Sequence, residues 1–155
     1  MNSTPQAVRA AWQDALAAEQ QAAFGYALVG PHLPGDRQDL ARSYQALHEQ
    51  LRDSTAAAIE AAGARPVAAL GDYPALYGIA PLILAPQLED DCAAAWRYFY
   101  SALATAQRPP PAFAPLRRSA QRALTASALR ATRWRLLTGA RHAVVAFPGT
   151  PTTQK

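Results

Sequence analysis

Apolar residues return every three to four positions in four stretches of the chain, the spacing of a helix that buries one face. The first stretch predicts a helix over about Pro5–Val29, with Thr4 as its cap, Pro5 suited to the first helical position and Gly30-Pro31 ending it. The second covers about Asp36–Ala62 and stops at Gly63. A connection rich in Gly and Pro follows, "GARPVAALGDYPALYGIAP", and the third helix spans roughly Leu82–Gln107 with Pro86 in its first turn. "RPPPAFAP" then turns the chain into a fourth helix that ends near Thr138-Gly139. Two short connections and one longer one, between helices two and three, predict an all-α, antiparallel four-helix bundle over residues 1–146. Residues 147–155 read as a turn and a flexible tail.

Projecting each helix shows which polar groups fall among the apolar ones. In the first helix the inner stripe is Val8, Trp12, Ala15, Leu16, Ala23 and Tyr26, and Glu19 lies near its centre. A carboxylate in that position is costly unless it is paired, hydrogen-bonded or metal-bound. In the second the stripe is Leu40, Tyr44, Leu47, Leu51, Thr55 and Ala58; His48 lies within it, and Gln45 and Arg52 sit at its margin. The third helix buries Leu84, Leu88, Cys92, Ala95, Phe99 and Ala102, with Glu89 at the edge and displaced from the helix midpoint. Cys92 reads as a small core residue; Trp96, Tyr98, Phe99 and Tyr100 surround the helix, so some of them face outward, toward the long connection or a partner chain. The fourth turns Leu116, Ala120, Ala123, Ser127, Ala131 and Trp134 inward, with Arg130 close by.

Gln45-Ala-Leu-His48 is one side-chain atom pair away from the Glu-x-x-His pair that binds iron in di-iron carboxylate bundles. Such a centre also needs oxygen and imidazole ligands from the fourth helix. No acid or histidine occurs between Asp91 and His142, so one chain lacks the ligands of a complete di-iron site. Two readings of the inward polar residues remain. Glu19, His48 and Glu89 can form a reduced site for a single divalent ion of iron, manganese or zinc. In the reading favoured here, no cofactor is bound and Arg130 or Arg52 reaches Glu19, placing a buried ion pair where the metal would be.

Composition adds limits. Half the residues are hydrophobic and the length suits one domain with a substantial core. A single cysteine excludes an internal disulfide and fits a reducing compartment; with no secretory signal evident and "GIAPLILAP" too short to cross a bilayer, a cytoplasmic protein without membrane contact is expected. Charge is unevenly spread. Residues 1–91 carry all 11 acids and five of the 15 bases, and residues 92–155 carry the other ten bases and no acid. Acidic and basic helices packing together, within the fold or across a homodimer, explain this; nucleic acid or another polyanion on the Arg-rich fourth helix is the alternative. No phosphate loop, nucleophile elbow or Cys-x-x-Cys is present.

Three stretches, "AAEQQAAFGYALVG", "HEQLRD" and "ATRWRLLTGARHAVVAFPG", resemble the actinobacterial ferritin-like domain family of undefined function. The likeness runs from the first helix through Phe147-Pro148-Gly149. It implies a ferritin-like bundle and neither ferroxidase activity nor iron storage, since fold does not confer function. Family members usually carry a histidine after the first-helix glutamate; Gln20 stands there in this chain. The expectation is a non-enzymatic structural or interaction protein, a homodimer or the partner of another protein.

Overall fold

The computed structural model describes residues 4–106 and 111–150. Four long helices form: α1 (Gln6–Val29), α2 (Gly35–Ala61), α3 (Pro81–Thr105) and α4 (Phe113–Leu137), with single 3-10 turns at Gly30–His32 and Pro74–Leu76. The described residues contain no strand, and the fold is an all-α four-helix bundle. The expected passage of α3 into Gln107, and the flexible tail over 151–155, lie outside the described residues.

The helix ends follow from their sequences, with two corrections. Thr4 makes no cap: α1 begins after Pro5 without a side-chain cap hydrogen bond. Pro86 is the sixth residue of α3, which starts at Pro81, and so lies inside the helix beyond its first turn. The carbonyl of Ala80 takes the amides of Ile83 and Leu84, and Pro81 occupies the position where a missing N–H costs nothing. At the other ends, Gly63 and Gly139 take φ of +79° and +72°, letting the amides of Ala64 and Ala140 reach back to the carbonyls of Ile59 and Arg135.

Side-chain pairs give the direction of each helix. Glu19 meets His48 and Tyr26 meets Tyr44, so α2 runs antiparallel to α1. Trp12 stacks on Phe99, Trp96 reaches Glu19 and Tyr26 reaches Glu89, so α3 is also antiparallel to α1 and therefore parallel to α2. Glu89 meets Arg130, and the short connection between Thr105 and Phe113 cannot climb the bundle, so α4 is antiparallel to α3 and returns to the direction of α1. The order is up-down-down-up, and it requires the α2–α3 connection to climb the full length of the bundle. It does so along α1. The Gln13 amide clamps the backbone of Arg65 and Val67, Gln20 donates to the Val67 carbonyl at 2.9 Å, and Phe24 packs on Tyr73 at 5.1 Å. Gln20, in the place where the resemblance implies a histidine, thus fastens the crossover.

The core draws on all four helices, α2 adding Ala41, Tyr44 and Ile59 and packing chiefly on α1. Helices α2 and α4 do not pack closely. The buried line of α2 is consequently Ala41, Tyr44, His48, Thr55 and Ile59, and Leu47, placed in the stripe by periodicity, is 45% exposed. Tyr44 still meets Trp134 edge-on at 6.0 Å, but at the level of Leu47 the face of α2 toward α4 opens to solvent.

Candidate functional site: a buried ionic cluster

Five polar or charged side chains are buried among the described residues, and four of them, Glu19, His48, Glu89 and Ser127, gather with Arg130 at the centre of the bundle. His48 bridges two levels of it. Its Nδ1–H donates to Glu19 Oε2 at 2.6 Å and its Nε2–H to Glu89 Oε1 at 3.1 Å. Carboxylates offer only acceptors, so a ring bonded to both carries a proton on each nitrogen. Burial alone would pull the imidazole pKa down; the hydrogen bonds and charges of Glu19 and Glu89 outweigh it and push His48 up to about 9.

Each carboxylate has further donors. Trp96 Nε1 donates to Glu19 Oε1 at 2.6 Å. Tyr26 Oη donates to Glu89 Oε1 at 2.7 Å, and Trp134 Nε1 donates in turn to the Tyr26 oxygen at 2.7 Å. Arg130 straddles Glu89 through its Nε, 2.9 and 3.0 Å from the two oxygens, while its Nη2 donates to Ser127 Oγ at 3.1 Å. Burial pushes the Glu89 carboxyl upward, but His48 and Arg130 more than offset this and hold it below the usual carboxylate range. Burial and the neighbouring Glu89 push the Tyr26 phenol well up, so it remains a donor. Tyr26 also stacks on the His48 ring at 5.4 Å, and the Arg130 guanidinium lies over Tyr44 at 5.6 Å.

The charges close. Two carboxylates face one imidazolium and one guanidinium, and no buried side-chain nitrogen or oxygen among the described residues lacks a hydrogen-bond partner. Such closure is what makes a buried ionic group tolerable.

The two arginines expected to serve as ion-pair partners behave differently. Arg130 enters the cluster but pairs with Glu89 rather than Glu19. Arg52 does not enter: its Nε binds Asp53 at 2.7 Å on the surface, because its place at the stripe margin turns it outward. Glu89, read from sequence as poorly placed, is fully buried, at the level of Tyr26 rather than of Glu19. Of the four aromatic residues that surround α3, Trp96 is 2% exposed and binds Glu19. Sequence reasoning missed its indole N–H as the donor a buried carboxylate needs. Tyr98 and Tyr100 carry the outward aromatic surface of α3 instead.

A di-metal centre does not fit these residues. The polar side chains that α4 brings to the centre are Ser127, the cationic Arg130 and the Trp134 indole, none of them an acid or an imidazole. For a single ion the nearest donor set is Glu19, His48 and Cys92, whose ligand atoms lie within 4.8 Å of one another. Protons hold this set together: one joins His48 to Glu19 over 2.6 Å, and an ion bound by both would have to displace it. Burial, reinforced by Glu19 and Glu89, pushes the Cys92 thiol well up, and its Sγ lies 3.5 Å from the Ala18 carbonyl.

Fold and cluster together define an all-α four-helix bundle with a neutralised ionic centre. The chain belongs to the family described as domain of unknown function (DUF4439), which matches residues 11–152. It is similar to a crystal structure of a conserved hypothetical protein, rv2844, from Mycobacterium tuberculosis, at 29% identity and a TM-score of 0.75, over 87% of this chain and 99% of that one. No curated protein matches.

Proposed function

We propose that this chain is a non-enzymatic, ferritin-like bundle in which protons and an arginine take the place of metal, and that it serves as a structural or interaction protein. The single long crossover and up-down-down-up order support the ferritin-like reading. One observation carries the rest: Glu19, His48, Glu89 and Arg130 neutralise one another, and among the described residues no buried side-chain nitrogen or oxygen is left without a hydrogen-bond partner. A cytoplasmic homodimer is part of the same reading, supported by the lone cysteine and by Tyr98, 55% exposed on α3.

The test is loading with Fe(II), Mn(II) and Zn(II), read by elemental analysis and by melting temperature, with His48→Ala alongside. The expected result is no stoichiometric metal and no gain in melting temperature. Near-stoichiometric metal with a raised melting temperature, both lost in His48→Ala, would overturn the proposal in favour of a reduced metal site.

A further inference from the structure

We infer that the open trough between α2 and α4 binds an alkyl carboxylate, with its head at Arg122 and its tail along the helices toward Arg130. The trough exists because the facing residues of α4 are small: Ser119, Ala123 and Ala126 stand opposite Leu47, Leu51 and Ser54 and cannot fill the space between the helices. Its volume is about 380 Å³, within the range of small-molecule sites. Leu47 and Leu51 are apolar groups left on its wall, Leu47 45% exposed and Leu51 half-buried.

Charge selects the ligand. Arg122 and Arg130 both line the trough, and no lining residue is acidic. At one end Arg122 stands with the hydroxyls of Ser119 and Ser54, and no described carboxylate lies within salt-bridge distance of it. Its planar fork suits a carboxylate. At the other end the Arg130 Nε and Nη2 are committed to Glu89 and Ser127, so this end closes the trough rather than supplying a second anion site. Along α4 the two arginines are roughly 12 Å apart at the rise of an α-helix, which sets a medium-length tail. The other large cavities suit a tail less well. The one between Leu28 and Leu84 has only His32 as an ionisable group besides Tyr77, and the one beside Gln21 is lined by Asp91. The one beside Leu129 shares Arg122 and adds Arg118, but α4 alone lines it, so it offers no second wall for a tail.

This inference goes beyond the reading of the buried cluster and shares only Arg130 with it. The test is titration of the full chain with decanoate, followed by calorimetry and methyl resonances. Acetate serves as a head-only probe and decyltrimethylammonium as a tail with the opposite charge. Arg122→Glu alters an exposed side chain, and Ala126→Phe fills the trough. Expected are saturable one-to-one binding of decanoate alone, shifts at Leu47, Leu51 and Ala126, an affinity lowered about tenfold or more by Arg122→Glu, and binding abolished by Ala126→Phe. No saturable binding, equal binding of the cationic probe, indifference to both variants, or shifts confined to the Leu28–Leu84 cavity would each overturn it. So would a sedimenting dimer that already shields the trough residues, since a second copy would then be the occupant. None of these readouts moves with metal, so the failure of this inference and that of the proposed function are told apart.

Discussion

The α1–α3 seam and the α2–α4 seam belong to one bundle but are built oppositely. Between α1 and α3, small residues bring the backbones together: Gly25 lies under Leu88 so closely that a Cβ there would come within 2.6 Å of it, and Trp12 stacks on Phe99 at 5.3 Å. Glu19 and Glu89 are fully buried beside that seam. Between α2 and α4, the small residues Ser119, Ala123 and Ala126 face Leu47, Leu51 and Ser54 across a gap that they do not fill, and the seam stays open there. Small side chains close a seam when they let backbones approach and open it when they leave a gap unfilled. Arg130 links the two environments, binding Glu89 on the closed side while lining the trough on the open one.

If the closed side carries the stability, its charges are the most damaging to remove. Glu89→Ala leaves His48, Arg130 and the Tyr26 hydroxyl without their acceptor, and we expect a loss of about 3–5 kcal/mol in denaturant unfolding. A loss below about 1 kcal/mol would show that water, not protein, satisfies these groups.

Next in size is the dependence on pH. His48 is raised in the folded chain, so its contribution is fully present below its ordinary value of about 6.5 and disappears as pH rises through about 9. The loss across that window is on the order of 3 kcal/mol. Glu89 is lowered, so its contribution is present above its ordinary value of about 4.3 and is lost as pH falls. Unfolding followed across pH should therefore show greatest stability in mildly acidic solution, and His48→Gln should remove the alkaline fall. Persistence of the fall in that variant would assign it to another group.

Smaller effects separate the two seams directly. Gly25→Ala gains helix propensity but forces Leu88 out of its place; overpacking outweighs the gain, and we expect a net loss of roughly 1 kcal/mol. Leu47→Gln, on the open side, should stay within about 0.5 kcal/mol of the parent. Equal costs for the two would mean that the trough is closed in solution.

Much of this was legible from spacing alone. The four helices, the crossover's position and the inward turn of Glu19 and His48 follow from apolar periodicity, because burial of one helical face is a local property of each segment. Glu89 was harder. Its depth was judged from its distance to the midpoint of α3, but helices of unequal offset do not align at their midpoints, and His48 spans the difference. Arg52 and Arg130 both stood beside an inner stripe; which one turned inward depended on the helix opposite, which periodicity does not report. The exposure of Leu47 has the same origin, since its stripe was drawn for a bundle closed on all sides.

The central claim is that the heart of the bundle is a closed set of charges with His48 as its imidazolium. Nitrogen resonances of the His48 ring, followed from neutral to alkaline pH, test it most directly. The account predicts two protonated ring nitrogens at neutral pH, with the proton leaving only near about 9. A ring with one bare nitrogen at neutral pH would contradict it, and would give the cluster back an open donor for a metal ion.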